Sequence, residues 1–177
     1  MATTKLSQQP SLDPNGTTIV VTGASGFIAS HIINEALLLG YHVRGTARSK
    51  DKAEKTKSIF CKSHPENYDC VVVKDMVEDV GGIESAVKGV DVVIHVASDT
   101  TFSDDPKQVV DGVVKGTRNF LEASKKAGSV KRFVLTSSST AALCELSSSA
   151  RFVMDVLINA RSAEAKHRAH GDHQDLE

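Results

Sequence analysis

Short apolar runs alternate with amphipathic segments along the chain from residue 17 to residue 136. A continuous apolar run between turn residues is typical of a buried strand, whereas apolar residues at every third or fourth position are typical of a helix. The pattern predicts strands over residues 17–22, 41–47, 69–74, 90–96 and 130–136. It predicts helices over residues 27–39, 50–60, 82–88 and 106–127.

Strands that alternate with helices pack as a parallel sheet with helices on both faces. Because crossovers between parallel strands are right-handed, we expect a doubly wound sheet with the strand order 3-2-1-4-5. The predicted fold class is therefore α/β, with a sheet of the Rossmann type.

The alternation also predicts the domain organisation. Residues 1–16 are rich in Ser, Gln, Pro, Asp and Gly and are predicted to be a flexible lead. Residues 17–143 form the predicted α/β domain. Residues 144–177 are mostly polar and are predicted to be a poorly ordered tail, although Arg151–Asn159 is apolar enough for a further helix or strand.

Composition narrows the class of protein. The chain has 177 residues, a formal net charge of −1 and 24% charged residues, a balance that argues against nucleic acid or an anionic membrane as partner. No apolar run approaches the ~20 residues that span a bilayer. The three cysteines have no metal-ligand spacing, so we expect reduced thiols in a cytoplasmic protein.

A glycine-rich turn follows the first predicted strand. Gly23-Ala24-Ser25-Gly26-Phe27-Ile28-Ala29 has the pattern G-x-x-G-x-x-A between a strand and an amphipathic helix. In this context the first glycine permits a tight turn, the second lets the backbone approach a pyrophosphate, and the alanine lets the helix pack on the sheet. The helix N-terminus then offers free N–H groups to the phosphates. The turn therefore predicts a dinucleotide site and identifies residues 17–143 as a predicted dinucleotide-binding domain.

The end of the second strand is basic. An NAD-preferring site usually has an acid about 20 residues beyond the glycines, which binds the ribose 2′-hydroxyl. Here Arg48 occupies that neighbourhood, and no acid occurs from Tyr41 to Lys50. A basic group suits a 2′-phosphate, so NADP(H) is favoured over NAD(H). Other cations nearby are Arg44, Lys50, Lys52 and Lys55.

The fifth strand ends in VLTSSST, which begins as a predicted buried strand and continues as the five hydroxyl side chains of residues 136–140. Ligands bind at the carboxyl ends of the strands in open α/β sheets. A serine there is suited to hold a substrate oxygen, and such a site also needs a group that moves the proton.

Five stretches between residues 17 and 143 carry a family resemblance: TGASGFIASHI, VRGTARS, VDVVIHVAS, GTRNFLEAS and KRFVLTSSST. They resemble the extended short-chain dehydrogenase/reductases of the NAD-dependent epimerase/dehydratase superfamily. Within that superfamily they look like the branch of dihydroflavonol reductases, cinnamoyl-CoA reductases and NADPH-dependent aldehyde and ketone reductases. Small-molecule carbonyl or alcohol substrates are implied for the full-length proteins.

The resemblance also implies roles for individual residues. The NADP(H) pyrophosphate side would be bound by Gly23, Ser25, Gly26, Phe27 and Ile28. Arg48 would bind the 2′-phosphate, and Ser138 would be the catalytic serine that hydrogen-bonds the substrate carbonyl. The third strand end would contact adenine through Asp75 and Met76, and the fourth would line the nicotinamide side through Ala97 and Ser98.

One departure from the family concerns the proton donor, which is a tyrosine followed four positions later by a lysine. The chain has only Tyr41 and Tyr68, which are followed at that spacing by Gly45 and Val72, and no tyrosine follows Ser138. The resemblance fades after Leu143, where family members continue into a substrate-binding part. We therefore expect a truncated chain with impaired catalysis and with apolar surface exposed on the last strand and on helix faces.

Three functional hypotheses remain open. The first is the NADP(H)-binding portion of an oxidoreductase that transfers hydride between nicotinamide and an aldehyde, ketone or secondary alcohol. The second is a non-catalytic nucleotide-binding or interaction protein. The third is a fragment of an NAD-dependent epimerase/dehydratase.

Three histidines in the tail, His167, His170 and His173, have a spacing that a metal ion could use. Gly171 between them and the polar character of the tail argue against a metal site.

Overall fold

A computed structural model of the chain describes residues 12–98 and 106–138. The chain divides into two compact units, Met1–Thr136 and Ser137–Glu177. The elements below all belong to the first unit, and only Ser137 and Ser138 of the second unit fall within the described residues. The predicted lead, most of the predicted tail and the three tail histidines lie outside them.

The described elements alternate between strand and helix, as the sequence predicts. The strands are β1 (Thr18–Val21), β2 (His42–Ala47), β3 (Tyr68–Val72), β4 (Val92–His95) and β5 (Arg132–Leu135). The helices are α1 (Phe27–Leu38), α2 (Lys50–Phe60), α3 (Val80–Val87) and α4 (Pro106–Ala127). None of these helices is long and apolar enough to cross a membrane.

The five strands form one sheet in the order β3-β2-β1-β4-β5. Every pairing is parallel, and at the centre Val20 of β1 is opposite Arg44 of β2 on one side and Val93 of β4 on the other. The predicted fold class and strand order are therefore confirmed. This topology brings the carboxyl ends of β1 to β4 to one edge of the sheet.

Two apolar clusters cover the two faces of the sheet. Because side chains alternate along a strand, Val21 packs on one face and Val20 on the other. The first cluster joins the sheet to α1 and α2, through Ile33 and Phe60 among others. The second joins it to α3 and α4, where Phe120 is fully buried. The sheet is thereby covered by helices on both faces.

Helix α3 begins two residues before its predicted start. Asp79 caps it, since its carboxylate accepts hydrogen bonds from the backbone N–H groups of Gly82 at 3.0 Å and Lys74 at 2.9 Å. These two bonds lower the pKa of Asp79. The cap allows the helix to begin at Val80 and to include Gly81, both of which precede the predicted start at Gly82.

The expectation that VLTSSST begins as a buried strand is wrong. Val134 and Leu135 are 48% and 54% exposed. Strand β5 lies at the edge of the sheet, where it pairs with β4 within the described residues. Helix α4 also exposes apolar side chains, at Val110, Val114 and Leu121, so apolar surface lies open on both the last strand and a helix face.

Candidate functional site

A cleft of about 570 Å³ lies in the first unit, where the segments after β1, β2, β3 and β4 meet part of α4. It is lined by all ten residues that the sequence places at a cofactor: Gly23, Ser25, Gly26, Phe27, Ile28, Arg48, Asp75, Met76, Ala97 and Ser98. Lining residues that the sequence analysis did not assign to it are Ala29, Thr46, Ala47, Lys52, Val73, Lys74, Val77, Val96, Gly112 and Val113.

The glycine turn forms one wall of the cleft. Gly23 has a φ of +72°, which favours glycine, and a Cβ there would lie 3.2 Å from the Cβ of Ala97. The Gly26 N–H donates to the Gly23 carbonyl at 2.8 Å, which closes the turn. Gly26 is the N-cap of α1 and offers no side-chain acceptor, so N–H groups of the first helical turn remain available to an anion.

Two apolar side chains stand at the start of α1 in the same wall. Phe27 is 79% exposed and Ile28 is 54% exposed. The Phe27 ring packs edge-on against His31, with the ring centroids 4.7 Å apart. Ala29, by contrast, is buried against the sheet, which lets α1 approach closely, as the pattern G-x-x-G-x-x-A predicts.

Two cations lie at the end of β2. Arg48 and Lys52 both line the cleft, and Ser49 between them caps α2 by accepting a hydrogen bond from the Lys52 N–H at 3.3 Å. Lys52 therefore stands in the first turn of a helix whose positive dipole end faces the same region. In the sequence, the spacing Arg-Ser-x-x-Lys is the pattern that indicates that both cations lie on the same side of the cleft.

Arg44 has a different position. Its guanidinium donates to the carbonyls of Ala86 at 3.1 Å and Lys88 at 2.8 Å, and its Nε lies 3.6 Å from the carboxylate of Asp69. These contacts satisfy carbonyls at the end of α3. Arg44 is not among the residues that line the cleft.

The segment after β3 is folded by its own acid and by a residue of α4. Asp75 accepts hydrogen bonds from the N–H groups of Val77 at 2.6 Å and Glu78 at 3.1 Å. The Asn119 side-chain amide donates to the carbonyls of Met76 and Val77, each at 2.9 Å. The sequence analysis missed Asn119; its only signal is an amide on a helix face that carries the buried Phe120.

The segment after β4 is held by Thr22 at the end of β1. The Thr22 hydroxyl accepts hydrogen bonds from the N–H groups of Val96 and Ala97, both at 2.9 Å. It also contacts Nδ1 of His95 at 3.2 Å. His95 packs near the ring of Phe120, with the centroids 5.0 Å apart, and burial lowers its pKa to about 4. The sequence analysis did not predict this polar contact of His95.

Ser138 follows β5 in the chain and is an exposed residue of the second unit. Its catalytic role stays a prediction.

The chemistry of the cleft suits an extended anionic ligand. It combines a glycine turn, a helix N-terminus and two cations with the apolar side chains of Phe27, Ile28 and Met76. Within residues 12–98 and 106–138, no cluster of His, Cys, Asp or Glu is arranged to hold a metal ion.

Comparison with known proteins identifies the family. Residues 20–152 match the model of the 3-beta hydroxysteroid dehydrogenase/isomerase family. The chain is 46% identical over 134 residues to the NAD-dependent epimerase/dehydratase terH of Aspergillus terreus, covering 75% of this chain and 39% of that protein. It is 42% identical over 130 residues to aldehyde reductase 2 of Sporidiobolus salmonicolor, covering 73% and 38%.

Solved structures agree with the sequence matches. The yeast methylglyoxal/isovaleraldehyde reductase Gre2, in complex with NADPH, superposes with a TM-score of 0.63 and 33% identity over 71% of this chain and 38% of Gre2. The chain thus spans about two fifths of the length of its relatives. The resemblance inferred from the motifs is confirmed: the chain belongs to the 3-beta hydroxysteroid dehydrogenase/isomerase family, among the NAD(P)-binding short-chain dehydrogenase/reductases of the epimerase/dehydratase type.

Proposed function

We propose that the first unit binds NADP(H) and serves as the cofactor-binding portion of an oxidoreductase. The reaction would transfer hydride between nicotinamide and an aldehyde, ketone or secondary alcohol of low molecular weight. The observation that carries this proposal is that one cleft contains both the glycine turn at the start of α1 and the cations Arg48 and Lys52. The complex of Gre2 with NADPH supports it.

Each wall of the cleft then has a role. The turn around Gly23 and Gly26, with the first turn of α1, would bind the pyrophosphate through backbone N–H groups. Arg48 and Lys52 would bind the 2′-phosphate, which NAD(H) lacks. The segment around Asp75 and Met76 would contact adenine. Because the Asp75 carboxylate already accepts two backbone N–H groups, its part in binding would be to shape that segment.

The nicotinamide side would be lined by Ala97 and Ser98, both of which contribute to the cleft. Ser138 would donate a hydrogen bond to the substrate carbonyl as negative charge develops on its oxygen. When bound, the dinucleotide supplies the hydride, and the chain must supply the proton for the resulting alkoxide.

Catalysis by this chain would be limited because neither of its tyrosines is placed to donate the proton. Tyr41 donates its hydroxyl to the Leu12 carbonyl at 3.1 Å, and Tyr68 is buried, which raises the pKa of its phenol. Neither tyrosine lines the cleft. Because general acid catalysis contributes ~10²–10⁴-fold, we propose that these 177 residues bind cofactor but turn over carbonyl substrates slowly. A non-catalytic nucleotide-binding role is the corresponding alternative.

A second candidate is part of an NAD-dependent epimerase or dehydratase. The relative terH is described in those terms. The two cations at the end of β2 argue for NADP(H) instead, so the cofactor preference distinguishes the two candidates.

For location, we infer the cytoplasm from the scattered cysteines in the sequence, of which Cys61 and Cys70 are free thiols.

The test is a calorimetric titration of the purified chain with NADPH and with NADH, accompanied by thermal melts. We expect binding and a higher melting temperature with NADPH, and weaker effects with NADH. Steady-state NADPH oxidation with reactive aldehydes, for the chain and its Ser138→Ala variant, then tests catalysis. Absence of binding to either dinucleotide would refute the proposal, and fast turnover that depends on Ser138 would refute the limit on catalysis.

A further inference from the structure

The contacts of the Thr22 hydroxyl fix the tautomer of His95. A threonine hydroxyl has one proton to donate and two lone pairs with which to accept. Both lone pairs are used, by the N–H groups of Val96 and Ala97. Among the described residues the hydroxyl makes one further contact, to Nδ1 of His95 at 3.2 Å, which must therefore be made by the hydroxyl proton. Nδ1 is then an acceptor, and the neutral ring carries its proton on Nε2.

The other tautomer, with the proton on Nδ1, leaves hydrogen-bonding groups of Thr22 and His95 without partners. If Nδ1 carried the proton, the Thr22 oxygen would face three donors with two lone pairs, and its own proton would have no acceptor among these groups. Thr22 is fully buried and His95 is 2% exposed, so water does not replace the missing partner. The geometry thus selects a single arrangement of protons.

Among the residues that the structure describes, two aromatic rings lie next to the imidazole of His95. Phe120 of α4 and Phe133 of β5 face it, with centroids 5.0 and 6.1 Å away. The charged side chains Asp91 and Lys131, which precede β4 and β5, pair with each other at 2.8 Å. Burial is the one cause of the lowered pKa of His95. The ring therefore remains neutral around pH 7 and available as an acceptor.

The contacted backbone belongs to the cleft. Val96 and Ala97 line it, and Ala97 is the residue that a Cβ on Gly23 would approach to 3.2 Å. Thr22 immediately precedes Gly23, so its hydroxyl ties the end of β4 to the strand that leads into the glycine turn. A displacement of Ala97 would therefore change how closely the end of β4 packs against the glycine turn.

We propose that Thr22 and His95 form a positioning pair, in which the neutral imidazole orients the threonine hydroxyl and the hydroxyl fixes the backbone of Val96 and Ala97 where it lines the dinucleotide cleft. The pair does not touch the reacting atoms. The part of this inference that concerns the dinucleotide rests on the proposed function, whereas the tautomer and the backbone contacts do not.

The experiment uses the whole chain labelled with ¹⁵N. Imidazole nitrogen shifts report the tautomer of His95, amide hydrogen exchange reports the hydrogen bonds of Val96 and Ala97, and calorimetry reports NADPH affinity. Thr22→Val removes the hydroxyl at nearly constant volume, and Thr22→Ser retains it as the matched control. We expect Thr22→Val to lose about tenfold in exchange protection at both amides and about tenfold in affinity, with Thr22→Ser close to the parent.

A second pair of variants keeps the inference testable if Thr22→Val does not fold. His95→Asn retains an acceptor oxygen near the position of Nδ1, whereas His95→Leu removes it, so only the leucine variant should lose protection and affinity. A proton on Nδ1 in the parent, or unchanged protection in the folded variants that lack the contact, would overturn the inference. So would lost protection without lost affinity. A parent chain that binds no dinucleotide refutes the proposed function, while the tautomer and the exchange rates still decide whether the pair fixes the backbone.

Discussion

The side-chain amide of Asn119 on α4 is bonded to the backbone carbonyl of Met76 at 2.9 Å, and the same nitrogen reaches the carbonyl of Val77 at 2.9 Å. Gly116, one turn earlier, allows this approach, because a Cβ there would lie 3.1 Å from the Cβ of Met76. Helix α4 thus fixes one wall of the cleft, although Asn119 lies more than forty residues after this wall in the sequence.

We predict that Asn119→Leu loosens this wall. Leucine is similar in size but leaves both carbonyls without their donor, which should destabilise the fold by about 1–3 kcal/mol. NADPH affinity should fall by about tenfold as the segment around Met76 moves. Urea unfolding and calorimetry measure the two effects. Glu122→Leu, at an exposed position of the same helix, is the control; an equal loss in both variants would contradict the prediction.

Arg48→Ala should remove most of the preference for NADPH over NADH. A charge-assisted contact to a phosphate contributes about 1.5–3 kcal/mol, or one to two factors of ten in affinity. Lys52→Ala should remove a smaller share, because its ammonium makes no bidentate contact. Lys55→Ala provides the matched control, since Lys55 lies on α2 outside the cleft lining. A preference that survives the double substitution of Arg48 and Lys52 would show that other groups bind the 2′-phosphate.

Gly26→Val should weaken dinucleotide binding by at least about tenfold, because the added side chain lies where the pyrophosphate approaches the backbone. A Cβ at this position would stand 3.2 Å from the Gly23 carbonyl oxygen, so a small adjustment of the turn accommodates it. The fold should therefore persist, as circular dichroism would report. An unchanged NADPH affinity in a folded variant would exclude the turn from the site.

Gly45→Ala should lower the free energy of unfolding by about 1–3 kcal/mol through overpacking. A Cβ there would overlap the Tyr68 hydroxyl and lie 2.7 Å from the Cβ of Ala24. Gly81→Ala is the control, because nothing lies within 4 Å of a Cβ at that position in α3. Helix propensity predicts equal or higher stability for the control. Urea titrations that rank the two variants in the opposite order would refute the packing argument.

Acid should destabilise the fold through His95. Its native pKa is about 4 against an ordinary value of 6.5, so below pH 6.5 the unfolded chain binds a proton that the native chain does not. Stability is therefore full above about pH 6.5 and is lost as the pH falls toward 4. We expect about 2 kcal/mol of this loss between pH 7.5 and pH 5. Urea unfolding of the parent and of His95→Asn at both values isolates it, and equal pH dependence would refute the assignment.

The sequence predicted what depends on local patterns. Periodicity and turn residues located every described strand and helix, and the rule for parallel crossovers gave the strand order. The ten cofactor residues proposed from motifs lie at strand ends, so the order of the strands brings them to one cleft. The Asp79 cap was missed because the predicted helix begins at Gly82, three residues beyond the cap.

Contacts between distant elements were not predictable in the same way. The bonds from Asn119 to Met76 and from Thr22 to His95 join residues more than forty positions apart. A polar residue on a buried face gives no indication of which carbonyl or ring it meets. A short apolar run likewise does not distinguish an edge strand from a central one, which is why the exposure of Val134 and Leu135 was not anticipated.

The central position of β1 has a consequence for biosynthesis. Among the described strands β1 comes first in the chain, and its partner β4 follows only after some seventy further residues. During that interval β1 can pair with β2, and β2 with β3, while the other edge of β1 and the face that carries Val20 stay open. A nascent three-stranded sheet with an open edge is a template for pairing with other chains. We therefore expect the nascent chain to depend most on chaperones after β3 has been synthesised and before β4 is available.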